Sequence, residues 1–174
     1  MSRAESMAAE FAALGLRYIF GIPGSGFSLE LIDAAARRDI EFVLAAHEGT
    51  AGIMAAVQGE LQGAPGVCLS IRGPGAANLN SGVVYAWLEQ APLLAITETY
   101  AHTPSRPPPM QNLDHPALFA PTTKQQEVLT LDTAGTCMQR LWQEALRERP
   151  SPVHLDVSSL DIPAASSEDQ AQAE

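Results

Sequence analysis

One glutamate, Glu48, stands where a carboxylate could do chemistry. It follows the apolar stretch FVLAA at residues 42–46 and opens an alanine-rich segment with helical spacing. Amide groups at a helix N-terminus stabilise a carboxylate, and a strand end would aim it into a crevice. The same position also suits a first-turn acid that only stabilises its helix. Three histidines, His47, His102 and His115, could have either a structural or a chemical role.

Two glycine-rich segments also follow predicted strands and could face the same crevice. The first contains Pro23 and Gly24, and the second contains Gly73, Pro74 and Gly75, with Asn78 one turn further on. Glycine lets a backbone approach a ligand closely, and asparagine both donates and accepts hydrogen bonds. Either segment could instead be a tight strand-to-helix turn. Neither has the G-x-G-x-x-G spacing of a dinucleotide site, and no G-x-x-x-x-G-K-[ST] phosphate loop occurs.

Short apolar runs alternate with amphipathic helices along the chain and would position these residues. Strands are predicted at residues 18–20, 42–46, 67–71, 93–97, 126–131 and 153–157, and helices at 49–61, 76–89 and 132–148. Ser2 and Glu5 form a capping-box pattern before a first helix. Such alternation is typical of βαβ crossovers. We therefore expect a doubly wound α/β fold, with a mostly parallel sheet covered by helices on both faces.

The parts outside this pattern are marked by proline and by composition. Residues 102–112 hold four prolines and are predicted to be a loop, because proline fits neither a helix interior nor a central strand. From Pro163 onward the apolar periodicity is lost. Residues 1–163 are therefore expected to form one domain, and residues 164–174 a disordered tail or linker.

Charge and hydropathy exclude several classes of partner. The formal net charge of −10 argues against nucleic acid and anionic membranes, which bind basic surfaces. No apolar run approaches the roughly 20 residues needed to cross a bilayer, and the N-terminus lacks the features of a signal peptide, so we expect a cytoplasmic protein. The two cysteines, Cys68 and Cys137, form no C-x-x-C pair and are predicted to be buried thiols.

Six stretches carry a family resemblance when they are taken in order. They are YIFGIPG, VLAAHEGTAGIMA, GVCLSIRGPGAANLNSG, AWLEQAPLLAIT, MQNLDHPALFAPTTK and RPSPVHLDV. In order and spacing they resemble the N-terminal pyrimidine (PYR) domain of the thiamine-diphosphate (ThDP) enzymes that include acetolactate synthase, pyruvate oxidase and benzoylformate decarboxylase. The resemblance covers almost the whole chain.

The resemblance implies a specific role for Glu48, which matches the glutamate of the family's H-E-x-x-A-type motif. In the family that carboxylate hydrogen-bonds N1′ of the cofactor's aminopyrimidine and favours the imino tautomer, whose nitrogen then removes the C2 proton of the thiazolium. Further residues are implied to line the cofactor. Pro23 and Gly24 match the turn after the first strand, and Gly73, Pro74, Gly75 and Asn78 match the G-P-G-x-x-N loop beside the pyrimidine.

The resemblance also implies two residues on the substrate side. Gln111 falls near the family's F-Q pair, although Met110 replaces the phenylalanine, and Lys124 falls at the T-K that follows. Arg72 stands where the family commonly has a small hydroxylated residue. Contacts to substrate from this side are therefore expected to differ from those of the family.

Family members continue with a central domain, which binds FAD or is structural, and a C-terminal domain whose G-D-G…N-N motif holds Mg²⁺ and the cofactor's diphosphate. This sequence contains no G-D-G. The resemblance thus implies that Mg²⁺ comes only from a partner domain or chain, that FAD is not expected here, and that the chain is not active alone.

Two interpretations of function stay open. In the first, the chain is one subunit of a split decarboxylase similar to the two-chain sulfopyruvate or phosphonopyruvate enzymes, and acts with its partner on a 2-oxo acid. In the second, it is a non-catalytic PYR module, or a severed piece of an acetolactate-synthase-like enzyme, that serves binding or assembly only. PYR domains similar to this one bury helices against a second subunit, and residues 76–89 hold more apolar side chains than one sheet contact would hide, so we expect a homodimer or a larger oligomer.

Overall fold

The computed structural model describes residues 2–24, 26–100, 110–129 and 134–159. Six strands form one sheet, namely β1 (Tyr18–Ile22), β2 (Glu41–Leu44), β3 (Gly66–Ser70), β4 (Leu93–Tyr100), β5 (Gln126–Leu129) and β6 (Pro152–Ser159). The helices are α1 (Arg3–Ala13), α2 (Phe27–Ala36), α3 (Glu48–Gln62), α4 (Pro74–Glu89), α5 (His115–Phe119) and α6 (Ala134–Leu146). The strand order is β2-β1-β3-β4-β6-β5, and every one of these pairings is parallel.

Helices cover both faces of this sheet. Successive strand residues point to opposite faces and so pack against different helices. Ile19 and Leu69 join a core that includes residues of α1, α2 and α6, whereas Phe20 and Cys68 join a second core with residues of α3, α4 and α5. The predicted doubly wound α/β fold is thereby confirmed. No helix in the described part of the chain is long and apolar enough to span a membrane.

Local sequence signals account for several details of the elements. The Ser2 hydroxyl accepts a hydrogen bond from the Glu5 amide at 3.2 Å, and the Ser2 amide donates to the Glu5 carboxylate at 2.8 Å, so the predicted capping box is present. Cys68 and Cys137 are both buried and unpaired, as predicted. Burial raises the pKa of each thiol to about 12.

Element boundaries differ from the predictions in places. β2 ends at Leu44 rather than at residue 46, and β4 continues to Tyr100 rather than ending at residue 97. Most of the proline-rich segment, including His102, lies outside the described residues. So do the end of the predicted fifth strand, the start of the last helix and the predicted tail at residues 164–174.

Helices α3 and α4 cross closely on one face of the sheet because glycines meet at the crossing. A Cβ atom on Gly52 would lie 2.9 Å from the Cα of Gly82, and one on Gly82 would lie 2.6 Å from the carbonyl oxygen of Gly49. Real Cβ atoms essentially never come that close to backbone. The crossing thus places the start of α3 against residues 78–82 of α4, since a Cβ on Gly49 would also lie 3.2 Å from the carbonyl oxygen of Asn78.

Replacing Gly82 with alanine should lower the free energy of unfolding by roughly 1–3 kcal/mol, the usual effect of overpacking. Alanine is the better helix former, so any loss must come from the steric conflict with α3. Urea unfolding measures it, with Gln62→Ala on the exposed last turn of α3 as the control. An unfolding midpoint for Gly82→Ala that matches or exceeds that of the unmodified chain would contradict the close crossing.

Candidate functional site

The loops after β1, β2 and β3 meet at the carboxyl edge of the sheet, because these three strands are neighbours there. The turn at Pro23 and Gly24 follows β1 and packs against the end of β3, since a Cβ on Gly24 would lie 2.5 Å from the Ile71 side chain. Open parallel sheets bind ligands at this edge. The structure therefore brings most of the residues singled out in the sequence into one region.

Glu48 is the centre of this region. It is the first residue of α3, and only 8% of it is exposed. One carboxylate oxygen, Oε2, accepts a hydrogen bond from Asn78 Nδ2 at 3.1 Å. The other, Oε1, lies beside Gly75, whose missing Cβ would be 3.4 Å away. Glu48, Gly75 and Asn78 thus form one unit, in which a buried carboxylate lies beside the backbone of Gly75.

His47 has a structural role in this unit. It is the N-cap of α3, and its Nδ1 atom accepts a hydrogen bond from the Gly49 amide at 3.1 Å. A capping side chain satisfies one of the free amides at a helix start and fixes the angle at which the chain enters the helix. His47 therefore orients the first turn that carries Glu48.

The turn before α4 contacts Gln111. Gly73 has a φ of +61°, a conformation that favours glycine, and a Cβ there would collide with the carbonyl oxygen of Gln111. Gln111 itself has a φ of +67° and is exposed. The predicted substrate-side glutamine is thus adjacent to the predicted cofactor turn.

Lys124 does not join this group. Its amide donates to the carbonyl of Pro152, the first residue of β6, at 2.9 Å, so it lies at the amino edge of the sheet. Its ammonium group donates to the carbonyls of Glu144 at 3.1 Å and Arg147 at 3.0 Å, at the end of α6. The substrate-side prediction for Lys124 is corrected accordingly: the residue caps α6 at the edge opposite Glu48.

A buried ion pair in the same region was not predicted. Arg72 Nη2 lies 3.0 Å from Glu98 Oε2, with Glu98 fully buried and the Arg72 side chain 12% exposed. The other Glu98 oxygen accepts from the Ser28 amide at 2.6 Å, and the Ser28 hydroxyl accepts from the Gly24 amide at 3.0 Å. The Arg72 guanidinium also covers the Tyr100 ring at 4.1 Å. Glu98 thereby links the loops after β1 and β3 to the end of β4.

The sequence did contain a signal for this pair. Glu98 closes a run of apolar residues in a predicted strand, and Arg72 closes the preceding strand. Opposite charges at the carboxyl ends of successive strands would meet if those strands were neighbours, because a buried carboxylate needs a partner.

A second buried polar cluster lies behind the Gly73 turn. His115 Nε2 accepts from the Gly73 amide at 3.0 Å, and His115 Nδ1 lies 2.9 Å from Asp156 Oδ1. The Thr97 hydroxyl donates to the same Asp156 oxygen at 2.6 Å. His154 Nε2 lies 2.7 Å from the Thr97 oxygen. All four side chains are buried.

His154 is held neutral by its surroundings. Its ring lies 4.4 Å from the Phe119 ring, and its Nδ1 atom has no hydrogen-bond partner within the described residues. Burial lowers its pKa from 6.5 to about 4. Neither this cluster nor any other group of three or more His, Cys, Asp or Glu side chains in the described part of the chain could hold a metal ion.

Comparison with known proteins yields a consistent set of relatives. Residues 1–118 match the family model described as thiamine pyrophosphate enzyme, N-terminal TPP binding domain. The chain is 32% identical over 158 residues to a probable acetolactate synthase large subunit of Methanocaldococcus jannaschii, covering 90% of this chain and 27% of the relative. It is 38% identical over 110 residues to an acetolactate synthase of Bacillus subtilis, covering 63% of this chain and 19% of the relative.

A further relative is named as a decarboxylase rather than as an acetolactate synthase. The chain is 33% identical over 159 residues to a probable 2-ketoarginine decarboxylase of Pseudomonas aeruginosa, covering 88% of this chain and 28% of the relative. The chain thus spans less than a third of the length of these curated relatives.

The buried His154 should make stability depend on pH. Below about pH 6.5 the unfolded chain protonates this ring, whereas the folded ring stays neutral down to about pH 4. The stabilisation by the neutral His154 ring is therefore complete above pH 6.5. As the pH falls towards 4, the free energy of unfolding decreases by roughly 2–3 kcal/mol on account of this residue. Urea unfolding at pH 7 and pH 4.5 should show a smaller loss for His154→Leu than for the unmodified chain. Equal losses would contradict a neutral buried ring.

Proposed function

Since the chain belongs to the family of N-terminal TPP binding domains of thiamine pyrophosphate enzymes, we propose that it binds the aminopyrimidine of ThDP and activates it through Glu48. The working enzyme combines this chain with a diphosphate-binding domain. It decarboxylates a 2-oxo acid or joins it to a second carbonyl compound.

The observation that carries the proposal is the buried carboxylate of Glu48 beside bare backbone. A Cβ on Gly75 would lie 2.7 Å from Ile71 Cγ2 and 3.4 Å from Glu48 Oε1, so a larger residue here would crowd the carboxylate on which the ring is proposed to bind. A carboxylate with 8% exposure is shielded from water and makes stronger hydrogen bonds than a surface carboxylate. Asn78 occupies one oxygen at 3.1 Å and leaves Oε1 for a ring nitrogen.

Each side chain then has a defined task. Glu48 accepts a hydrogen bond from a ring nitrogen and holds a proton between its oxygen and that nitrogen. Asn78 fixes the rotamer of the carboxylate. The backbone at Gly73, Pro74 and Gly75 supports the ring, and the turn at Pro23 and Gly24 borders the same space. When bound, the cofactor supplies a nucleophilic thiazolium carbon and a sink for the electrons released on decarboxylation.

Gln111 is proposed as a substrate contact. Its contact with Gly73 and its exposed side chain support this role, because it reaches solvent next to the cofactor turn. The name of one relative refers to 2-ketoarginine, which is a 2-oxo acid, and two others are acetolactate synthases. The proposed substrate is therefore a 2-oxo acid.

The diphosphate and Mg²⁺ are proposed to bind to a partner domain. A diphosphate needs cations around it, whereas this chain has a net charge of −10, and its buried Arg72 is already paired with Glu98. Mg²⁺ needs several oxygen ligands. The G-D-G motif that provides them in the family does not occur in this sequence. The relatives are several times longer, which leaves room for such a domain. FAD forms no part of the proposal.

A catalytic contribution is preferred to an assembly-only module because of Glu48. Burying a carboxylate costs free energy, and its one described hydrogen bond to Asn78 offsets only part of that cost. Glu48 lies at the carboxyl edge of the parallel sheet, where open α/β folds bind their ligands. We also propose a cytoplasmic location, which the two unpaired thiols support, because oxidising compartments favour disulfides.

We propose that the chain forms a homodimer or larger oligomer through the outer surface of α3 and α4. Leu61 on α3 is 83% exposed and Leu88 on α4 is 71% exposed, and Ile53 and Trp87 are also partly open to solvent. Leu79 and its neighbours on α4, by contrast, pack into the core. Such an apolar patch between two helices favours a protein partner.

Glu48→Gln should reduce turnover of the assembled enzyme by about 10²-fold to 10⁴-fold, the usual contribution of a general acid or base. The fold should persist, because the amide oxygen can still accept from Asn78. Glu60→Gln, on the exposed face of the same helix, is the matched control and should leave turnover unchanged. Near-normal turnover of the Glu48→Gln enzyme would refute the role.

The isolated chain should bind ThDP weakly or not at all, with or without Mg²⁺, because its net charge of −10 repels the anionic diphosphate. Calorimetric titration measures this directly. Addition of the diphosphate-binding domain should make binding tight and dependent on Mg²⁺. Tight, metal-dependent binding by the chain alone would show that it contains its own diphosphate site.

Leu61→Lys combined with Leu88→Lys should weaken self-association, because charged side chains in an apolar interface lose hydration without gaining partners. Sedimentation equilibrium over a range of concentrations measures the association constant. Gln62→Lys, beside Leu61 on α3, controls for added charge. An unmodified chain that stays monomeric at high concentration would contradict the proposed dimer.

A further inference from the structure

We propose that His115 and Asp156 are a pair of positioning residues, which set the Gly73 turn of the cofactor site through the tautomer of the histidine ring. Neither residue touches Glu48 in the described contacts, so both act through the backbone. The consequence for ThDP binding rests on the proposed function, whereas the effect on the turn does not.

The tautomer follows from the hydrogen bonds. The Gly73 amide can only donate, so His115 Nε2, 3.0 Å away, must present a lone pair. A neutral ring then carries its proton on Nδ1, which donates to Asp156 Oδ1 at 2.9 Å. The reverse tautomer, or a doubly protonated ring, would point a hydrogen at the Gly73 hydrogen. Asp156 therefore selects the tautomer that the turn requires, as a carboxylate partner of histidine does in other sites.

Asp156 is itself fixed in place. The Thr97 hydroxyl donates to the same oxygen at 2.6 Å, and the Thr97 oxygen lies 2.7 Å from His154 Nε2. Thr97 and Asp156 are register partners on the neighbouring strands β4 and β6. The position of the carboxylate is thus set by the centre of the sheet rather than by a loop.

Gly73 connects the His115–Asp156 pair to the cofactor site. It is the N-cap of α4 and has no side chain that could cap the helix. Its amide is buried and finds its acceptor on His115. The next turn of the chain carries Gly75, which lies beside Glu48, and Asn78, which donates to its carboxylate. A shift of the Gly73 turn would therefore displace the donor that holds Glu48.

Two amide variants separate the two ends of the imidazole ring. His115→Gln places an amide oxygen near the position of Nε2, where it can accept from Gly73. His115→Asn places its amide near the position of Nδ1, where it can contact Asp156 but leaves the Gly73 amide without an acceptor. Both variants remove a buried ring, so a purely structural role predicts similar effects for the two.

Amide hydrogen exchange of Gly73 in the isolated chain, followed by NMR, tests the effect on the turn. His115→Asn should speed exchange at Gly73 about tenfold or more relative to global unfolding, as expected for a buried amide that loses its acceptor. His115→Gln should retain protection. His154→Leu, which changes the same cluster without touching Gly73, is the control and should also retain protection. Equal protection of Gly73 in the two His115 variants would overturn the proposal.

The ThDP dissociation constant of the assembled enzyme tests the effect on the site. It should rise about tenfold or more in His115→Asn and stay near normal in His115→Gln. Loss of Gly73 protection with unchanged ThDP affinity would overturn the link between the turn and the site. If Glu48→Gln kept full turnover while the Gly73 result held, the proposed function would fail and the effect of the pair on the turn would stand.

Discussion

Where α3 crosses α4, backbone meets backbone, since Gly49, Gly52 and Gly82 offer no side chains to keep the helices apart. This contact places the start of α3 next to residues 78–82 of α4. Asn78 can then reach Glu48 at 3.1 Å, although 30 residues separate the two along the chain. A wider crossing would leave a buried carboxylate without its donor, which costs free energy. The geometry of the site thus depends on the packing of Gly52 against Gly82, which lie one turn after Glu48 and Asn78 in their helices.

The loops at this edge are also held from the side, by two buried polar clusters. Glu98 accepts from the start of α2 and pairs with Arg72, which immediately precedes the Gly73 turn. His115 accepts from the Gly73 amide itself. Both clusters are anchored on β4, which lies next to β3 within the sheet. Rigid strands therefore position the glycine-rich turns. Without them, the conformational freedom of glycine would let the residues of the site adopt several arrangements.

The fold was predictable because its signals are local. Apolar strands, helical spacing and the Ser2 capping box each lie within a few residues, and the carboxyl-edge rule then placed Glu48 near Gly75. The Glu98 and His115 clusters were not predicted, since their members meet only if particular strands are neighbours in the sheet. Thr97 and Asp156 are 59 residues apart and meet only because β4 and β6 are neighbours, an order that no local pattern encodes.

Lys124 illustrates the limit of a resemblance. A motif match locates a residue along the chain, but it does not say at which edge of the sheet that residue lies. The hydrogen bond from the Lys124 amide to the carbonyl of Pro152, at the start of β6, puts the residue at the amino edge, where its side chain donates to carbonyls at the end of α6. Glu48 and Asn78, in contrast, match the motif and are also joined by a hydrogen bond.

A crystal structure of the chain assembled with its diphosphate-binding domain, ThDP and Mg²⁺ tests the central claim most directly. The account predicts that Glu48 Oε1 lies within hydrogen-bond distance of the pyrimidine N1′, with Asn78 still donating to Oε2 and the ring resting against the backbone at Gly75. A pyrimidine ring bound elsewhere, with Glu48 contacting only protein atoms, would contradict the account.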